Sequence, residues 1–162
     1  MHENAHLIER FYTAFQRRDH ATMAACYHPE AVFGDPAFPR LEGARIGAMW
    51  RMLCTRAQDL TVAFRDVVAD ERTGSAHWDA DYTFVATGRK VTNRIDARFE
   101  FRDGLIYRHD DAFDFKRWSR MALGPTGWLL GWTGWFRRTF QRRAADQLDR
   151  FLAKEGGGKP RA

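Results

Sequence analysis

The sequence predicts an α+β fold, in which three N-terminal helices pack in a strongly curved, cone-shaped antiparallel sheet and an amphipathic helix is added at the C-terminus. Two observations support this prediction. Apolar residues recur at intervals of three and four over residues 7–53, which is typical of amphipathic helices, and at intervals of two over residues 60–115, which is typical of half-buried strands. Because helices come first and strands follow, the two kinds of element form separate layers.

The N-terminal third predicts a helical hairpin, a short strand and a third helix. The first helix covers residues 3–17, and Asp19 suits the N-cap of a short second helix. Pro29 ends the hairpin, and residues 31–33 form a strand that leads into a loop containing Asp35. The third helix presents one apolar face, made by Ile46, Met49, Trp50 and Leu53.

The middle of the chain predicts four strands joined by short turns, an antiparallel meander. The alternation also assigns faces, since successive side chains point to opposite sides of a sheet. The residues expected to face the helices are Trp78, Ala80, Tyr82, Phe84, Ile95, Ala97, Phe99, Phe101, His109, Asp111, Phe113 and Phe115. The outer face then carries mixed charges, including Asp79, Asp81, Arg94 and Arg98, and is either solvated or paired with a second subunit. We expect a homodimer, because the meander leaves this broad face uncovered.

The chain divides into an α+β domain at residues 1–123, a helical extension at 124–154 and a disordered glycine-rich tail at 155–162. In the extension, aromatic residues from Trp128 to Phe151 follow helical spacing. Three placements are open for this helix: packing on the domain or a dimer partner, capping a cavity mouth, or contact with a membrane interface. Packing or capping by Trp128, Trp132 and Phe136 is the favoured expectation.

Charge and composition narrow the function. The net charge is +5, but no nucleic-acid recognition motif accompanies it, so we expect no nucleic-acid partner. The two cysteines lie in predicted helices, and the N-terminus does not resemble a secretory signal, which favours a cytoplasmic protein. The histidines and cysteines show no metal-ligand spacing and no glycine-rich loop follows a strand, so we expect neither a metal nor a cofactor.

The chain resembles the nuclear transport factor 2-like superfamily, and in particular its SnoaL-like members. The resemblance covers residues 5–115 and rests on four segments, "RFYTAFQRRD", "YHPEAVFGDPAFPRLEG", "TGRKV" and "FRDGLIYRHDDAFDF". It implies the cone-shaped fold. The superfamily includes isomerases, epoxide hydrolases, polyketide cyclases and binding modules without catalysis, so the fold alone does not select an activity.

Some catalytic residues of the superfamily have a match in this chain, and others do not. In ketosteroid isomerases the general base is an Asp before a Pro in this loop, which Asp35 matches. Their two oxyanion donors fall at Phe11 and Ala97, so that activity is disfavoured. SnoaL-like cyclases and limonene-type epoxide hydrolases use an Asp on the last strand, which Asp111 matches. The hydrolases also need an Arg-x-Asp on an earlier strand, where this chain has Trp78 and Ala80 in the inward positions.

These comparisons leave Asp35 and Asp111 as candidate acid/base groups, with His109 assisting. A carboxylate among aromatic side chains loses hydration, which raises its pKa towards neutrality and suits it to proton transfer. Each group also has a structural interpretation: Asp35 as a turn cap and His109 with Asp111 as a buried pair. The expected cavity is lined by Phe11, Trp50, Tyr82, Phe84, Asn93, Phe99 and Phe113.

Two hypotheses for function follow. The first is a cofactor-independent isomerase, cyclase or hydrolase that acts on a small apolar carbonyl compound by proton transfer or hydration. The second is a non-catalytic domain of the same fold that binds an apolar ligand or a protein through its cavity and C-terminal helix. They differ in whether Asp35 and Asp111 share one solvent-reachable cavity, because a catalytic pair must meet the same substrate.

Overall fold

A computed structural model describes residues 1–157 and contains six helices and six strands within that range. The helices are α1 (Glu3–Gln16), α2 (His20–Ala25), α3 (Ala44–Arg56), α4 (Phe115–Leu123), α5 (Pro125–Leu130) and α6 (Gly134–Gly157). The strands are β1 (Tyr27–Gly34), β2 (Leu41–Glu42), β3 (Thr61–Ala69), β4 (Thr73–Phe84), β5 (Arg89–Arg102) and β6 (Leu105–Ala112). The predicted α+β fold with three N-terminal helices and an added C-terminal helix is confirmed.

The strands form one curved, unclosed sheet in the order β2-β1-β6-β5-β4-β3. The meander from β3 to β6 is antiparallel, as predicted. The sheet as a whole is mixed, because β1 pairs with β6 in parallel. Irregular register within the β3–β4 and β5–β6 pairs is of the kind that increases local twist and lets a sheet wrap around helices.

The predicted faces of the meander are confirmed along β4 and β5. In β5 every second residue from Val91 to Phe99 is buried, and the residues between them are exposed. Outward charges pair within the chain, as in the ion pair between Arg65 Nη1 and Asp79 Oδ2 at 2.6 Å. The homodimer across this face stays a prediction.

Two local predictions were wrong. The first strand begins at Tyr27 rather than at residue 31, because its N-terminal end pairs with β6 at Ile106. Phe115 does not continue the last strand but begins α4, where the Asp114 side chain accepts a hydrogen bond from the Arg117 amide at 3.0 Å and caps the helix. A side-chain cap of this kind stabilises a helix start over strand continuation.

The C-terminal extension is interrupted between α5 and α6, so no single helix starts near Trp128. Phe136 and Phe140 pack against a small cluster that includes Phe115 and Trp118, as expected for Phe136. Trp128 and Trp132 are instead 63% and 69% exposed, contrary to the expectation that they pack or cap. Helix α6 reaches Gly157 within the predicted tail, and residues 158–162 lie outside the described residues.

Helix α6 is attached to the domain near its C-terminal end. Leu148 is fully buried in the main core, and Phe151 and Leu152 pack against the same core. Nearby, Arg45 donates to Asp149 Oδ1 at 2.9 Å and Arg51 pairs with Glu155. None of the helices within residues 1–157 has the length and apolar character to span a bilayer.

We expect Leu148→Ala to lower the free energy of unfolding by about 2–4 kcal/mol, because it removes a fully buried side chain from the core. Leu129→Ala provides a matched control, since Leu129 is 72% exposed and its truncation should change stability by less than about 0.5 kcal/mol. Urea denaturation followed by circular dichroism measures both. Equal effects of the two substitutions would contradict the docking of α6.

Candidate functional site

A chain of hydrogen bonds crosses the interior between α3 and the sheet. Trp50 Nε1 donates to Tyr27 Oη at 3.0 Å, Tyr27 Oη bonds to His109 Nδ1 at 2.7 Å, and His109 Nε2 bonds to Asp111 Oδ1 at 2.9 Å. Trp78 Nε1 donates to the same Asp111 oxygen at 3.3 Å. With the Tyr27 proton directed at His109 Nδ1 and the His109 proton on Nε2, every member of the chain is satisfied.

Aromatic rings surround His109 on several sides, and its side chain is completely buried. The centre of the Phe99 ring lies 4.4 Å from the centre of the His109 ring. The corresponding distances between ring centres for Phe11, Phe33 and Trp50 are 5.6, 5.1 and 6.2 Å. These rings fix the imidazole, and its two nitrogens are occupied by Tyr27 and Asp111. The His109 and Asp111 pair is therefore a rigid polar element inside an apolar core.

Asp35 is brought to this pair by the register of the sheet. The parallel pairing places Phe33 beside His109 and Gly34 beside Asp110, so Asp35 follows at the level of Asp111. Gly34 lets the loop fold back closely on β1, since a Cβ there would lie 3.0 Å from the Pro39 carbonyl oxygen. Burial raises the pKa of the Asp35 carboxyl to about 7, with a further contribution from the negative charge of Asp111.

The Asp35 carboxylate also closes the local turn. Its Oδ1 accepts hydrogen bonds from the amides of Ala37 at 2.7 Å and Phe38 at 2.6 Å. The turn-cap interpretation of Asp35 is therefore correct, but it does not account for the raised pKa, since these two hydrogen bonds lower it. The second carboxylate oxygen, Oδ2, accepts no hydrogen bond from these amides.

Asp70 provides an internal comparison for Asp35. Asp70 Oδ1 accepts from the amides two and three residues later, Arg72 at 2.8 Å and Thr73 at 2.7 Å, which is the same turn. The Asp70 side chain is exposed, and these hydrogen bonds lower its pKa. The same turn therefore accompanies opposite pKa shifts, and the difference arises from burial and from the neighbouring charge of Asp111.

Tyr82 packs against both hydrophobic clusters and is near Asp35. Its hydroxyl oxygen accepts a hydrogen bond from Trp118 Nε1 at 2.7 Å. Burial raises the pKa of Tyr82, the Trp118 hydrogen bond opposes the shift, and the charge of Asp35 adds to it. Tyr82 is only partly buried and is close enough to Asp35 to feel its charge, and its own hydroxyl proton is free to be donated.

The remaining predicted lining residues are divided between the two hydrophobic clusters. Phe11, Trp50 and Phe99 are packed around His109, whereas Phe84 lies in the second cluster, 5.4 Å from the Trp118 ring. Asn93 is buried, and Phe113 contacts both clusters. Two surface pockets are present in residues 1–157. The first, of about 550 Å³, lies over β3–β6 and includes Phe99, and the second, of about 360 Å³, lies between the Asp35 loop and α6.

Two buried tyrosines of the interior were not predicted. Tyr27 precedes the strand predicted at residues 31–33, and only the β1–β6 pairing shows that its hydroxyl reaches His109. Tyr12 lies within the first predicted helix, and its hydroxyl is buried without a hydrogen-bond partner among residues 1–157. Burial and then the charge of Asp111 raise the pKa of Tyr12 well above its usual value. Within the same residues no three His, Cys, Asp or Glu side chains cluster as metal ligands.

The fold and this interior define a class of protein. The family model of the SnoaL-like domain matches residues 8–109, and the chain belongs to that family, within the nuclear transport factor 2-like superfamily. The match ends at His109 and so contains the helical layer, the Asp35 loop and most of the sheet, but not the C-terminal helices. The predicted resemblance is confirmed.

Solved structures agree on the fold. An LEH-like epoxide hydrolase from M. tuberculosis is 22% identical, with 75% of this chain and 90% of that chain covered and a TM-score of 0.63. A proposed polyketide cyclase from Xanthomonas campestris is 21% identical, covering 72% and 93%, with a TM-score of 0.60. TerC, co-crystallised with polyporic acid, is 19% identical, covering 74% and 98%, with a TM-score of 0.63. No curated protein sequence matches this chain.

The raised pKa of Asp35 predicts a pH dependence of stability. An unfolded Asp titrates near pH 4, so between about pH 4 and pH 7 the folded state binds a proton that the unfolded state has lost. The free energy of unfolding should therefore fall as pH rises through this window, by up to about 4 kcal/mol at about 1.4 kcal/mol per pKa unit. Urea denaturation from pH 4.5 to pH 8 measures this slope.

Asp35→Asn should remove that decline, because an amide does not titrate. Asp70→Asn is the matched control, since the Asp70 pKa is lowered and its contribution is lost only as pH falls below about 4. A wild-type slope retained in the Asp35→Asn variant would show that Asp35 does not titrate near neutrality.

Proposed function

We propose that the protein is a cofactor-independent enzyme that moves a proton on a small apolar carbonyl compound, with Asp35 as the general base. The observation that carries this proposal is the half-buried carboxyl of Asp35, whose pKa of about 7 lets it both accept and return a proton at neutral pH. Membership of the SnoaL-like family is compatible with isomerase, cyclase and hydrolase activities of this kind.

The chemistry follows from the position of each group. The free oxygen of Asp35 removes a proton from the carbon next to the substrate carbonyl, and the electron pair of that C–H bond moves onto the carbonyl oxygen to give an enolate. The hydroxyl of Tyr82 donates a hydrogen bond to this oxygen, and the Trp118 N–H that it accepts strengthens it as a donor. Asp35 then returns the proton to carbon. Where the substrate carries a second carbonyl group, the enolate carbon can instead add to that carbonyl carbon and close a ring, and Asp35 gives its proton to the alkoxide that this addition produces.

His109 and Asp111 act as positioning residues in this proposal. Sequence reasoning favoured Asp111 as a base, but Asp111 Oδ1 already accepts hydrogen bonds from His109 and Trp78, and its side chain is only 2% exposed. Its negative charge instead helps to keep the pKa of Asp35 high. The aromatic rings around His109 hold its imidazole in position, and the imidazole is hydrogen-bonded to the Asp111 carboxylate.

Hydrogen–deuterium exchange tests the proposal without knowledge of the natural substrate. A panel of small cyclic ketones and diketones is incubated with the protein in D₂O, and exchange at the carbon next to the carbonyl is followed by NMR. We expect catalysed exchange that increases with pH through about 7. Asp35→Asn should reduce it by roughly 10²–10⁴-fold, the usual contribution of a general base.

Three further variants separate the roles. Asp70→Asn disturbs an equivalent turn and should leave exchange unchanged. Tyr82→Phe should slow exchange by about 10²–10³-fold with little effect on the pH midpoint, as expected for loss of an oxyanion donor. Asp111→Asn should shift the midpoint to lower pH, because a negative charge near Asp35 is removed. Exchange that is insensitive to Asp35→Asn would contradict the proposal.

A non-catalytic binding domain is the second candidate, favoured by the dense ring packing around His109 and by two pockets that are lined by neither Asp35 nor Asp111. The exchange experiment distinguishes the two candidates. A binding domain would alter no ketone exchange rate, although the same ligands would raise its melting temperature.

A further inference from the structure

The segment from α5 to the start of α6 exposes an unusual amount of apolar surface. Five large apolar side chains between residues 128 and 135 form what we call the Trp face. Their exposed fractions are 63%, 72%, 36%, 69% and 63% for Trp128, Leu129, Leu130, Trp132 and Trp135. The protein has six tryptophans, and the other three are at most 7% exposed. Exposed apolar groups clustered in this way indicate an interaction surface.

Local hydrogen bonds, together with the close packing of Gly127 and Gly131 against Ser119, fix the orientation of the Trp face. Trp132 Nε1 donates to the Leu129 carbonyl at 2.8 Å, and the Thr133 hydroxyl accepts from the Phe136 amide at 3.2 Å at the start of α6. Phe136 then points to the domain while Trp135 points away from it. The turn thus presents the indoles to solvent as a preformed surface.

The charge around the Trp face has one sign. Residues 115–145 contain seven lysines and arginines and no acidic residue, in a chain whose net charge is +5. The Arg120 guanidinium lies 4.1 Å from the centre of the Trp128 ring. Arg138 and Arg142 follow Trp135 by three and seven residues, so they lie on the same side of α6. These two arginines also line the groove that contains Arg40 and Arg45.

We propose that the Trp face docks the protein on the surface of an anionic phospholipid membrane. Tryptophan side chains partition to the boundary between headgroups and acyl chains, and arginines beside them attract anionic headgroups. A protein partner is the weaker interpretation, because the charge is entirely basic over 31 residues and the adjoining groove adds more arginine. The docking is peripheral, since no helix in the described part of the chain could cross the bilayer.

Flotation of the full chain with vesicles tests this proposal. Vesicles of phosphatidylcholine alone are compared with vesicles that also contain about 30 mol % phosphatidylglycerol, which makes their surface strongly anionic. We expect the protein to float with the anionic vesicles, much less with the neutral ones, and to be released by about 0.5 M salt. Lipids brominated on their acyl chains should quench part of its tryptophan fluorescence, because only the exposed indoles reach them.

Variants identify the surface. Combined replacement Trp128→Ser, Trp132→Ser and Trp135→Ser should abolish flotation and quenching, while Val68→Ser, at an equally exposed position on β3, should change neither. Arg138→Gln with Arg142→Gln should lower the partition coefficient by roughly tenfold or more, at about 1 kcal/mol per charge. Arg94→Gln on the outer sheet face is its control, and circular dichroism checks that each variant is folded.

Three results would overturn the proposal. The folded wild-type protein could fail to float with anionic vesicles, or the triple serine variant could float as well as wild type. In the third result, the protein would not bind vesicles but would self-associate through the Trp face. Its sedimentation coefficient would then be larger than that of the triple serine variant. That last result would assign the surface to a second copy of this chain.

Discussion

The parallel pairing of β1 with β6 is the interaction on which the interior depends. All other pairs in the sheet are antiparallel, and the meander from β3 to β6 connects strands that are neighbours in sequence. The β1–β6 pair instead joins segments that are about 75 residues apart, and it fixes three things together. It places Tyr27 within reach of His109, seats Phe33 against the imidazole and directs the Asp35 loop towards Asp111.

Burial then gives chemically similar groups different properties. Asp35 and Asp70 cap the same kind of turn, yet only Asp35 is placed among apolar side chains and near another carboxyl group. In the proposed function, stability and activity are coupled at this position. A carboxyl held with a pKa near 7 is less stable when ionised than an exposed one, and that same property makes it suitable for proton transfer.

The C-terminal helices show how one segment can be divided between two environments. Phe136, Phe140 and Leu148 attach it to the domain, while the indoles of Trp128, Trp132 and Trp135 are turned outward. The segment lies beyond the end of the family match at His109. Its apolar side chains are therefore divided between two environments: some pack on the core, and others are exposed on the surface of the described chain.

The sequence by itself determined the order of helices and strands, the inward and outward faces of β4 and β5 and the resemblance to SnoaL-like proteins, because periodicity and turn residues are local signals. It also identified Asp35, His109 and Asp111 as candidate site residues. Tertiary structure alone decided that Asp111 accepts hydrogen bonds from His109 and Trp78, and that Asp35 lies where burial raises its pKa. It likewise decided that Tyr27 belongs to the interior network and that Trp128 and Trp132 are exposed. Strand partners and helix orientations depend on contacts between distant residues, and helical spacing cannot tell an apolar face that packs on its own domain from one that remains open.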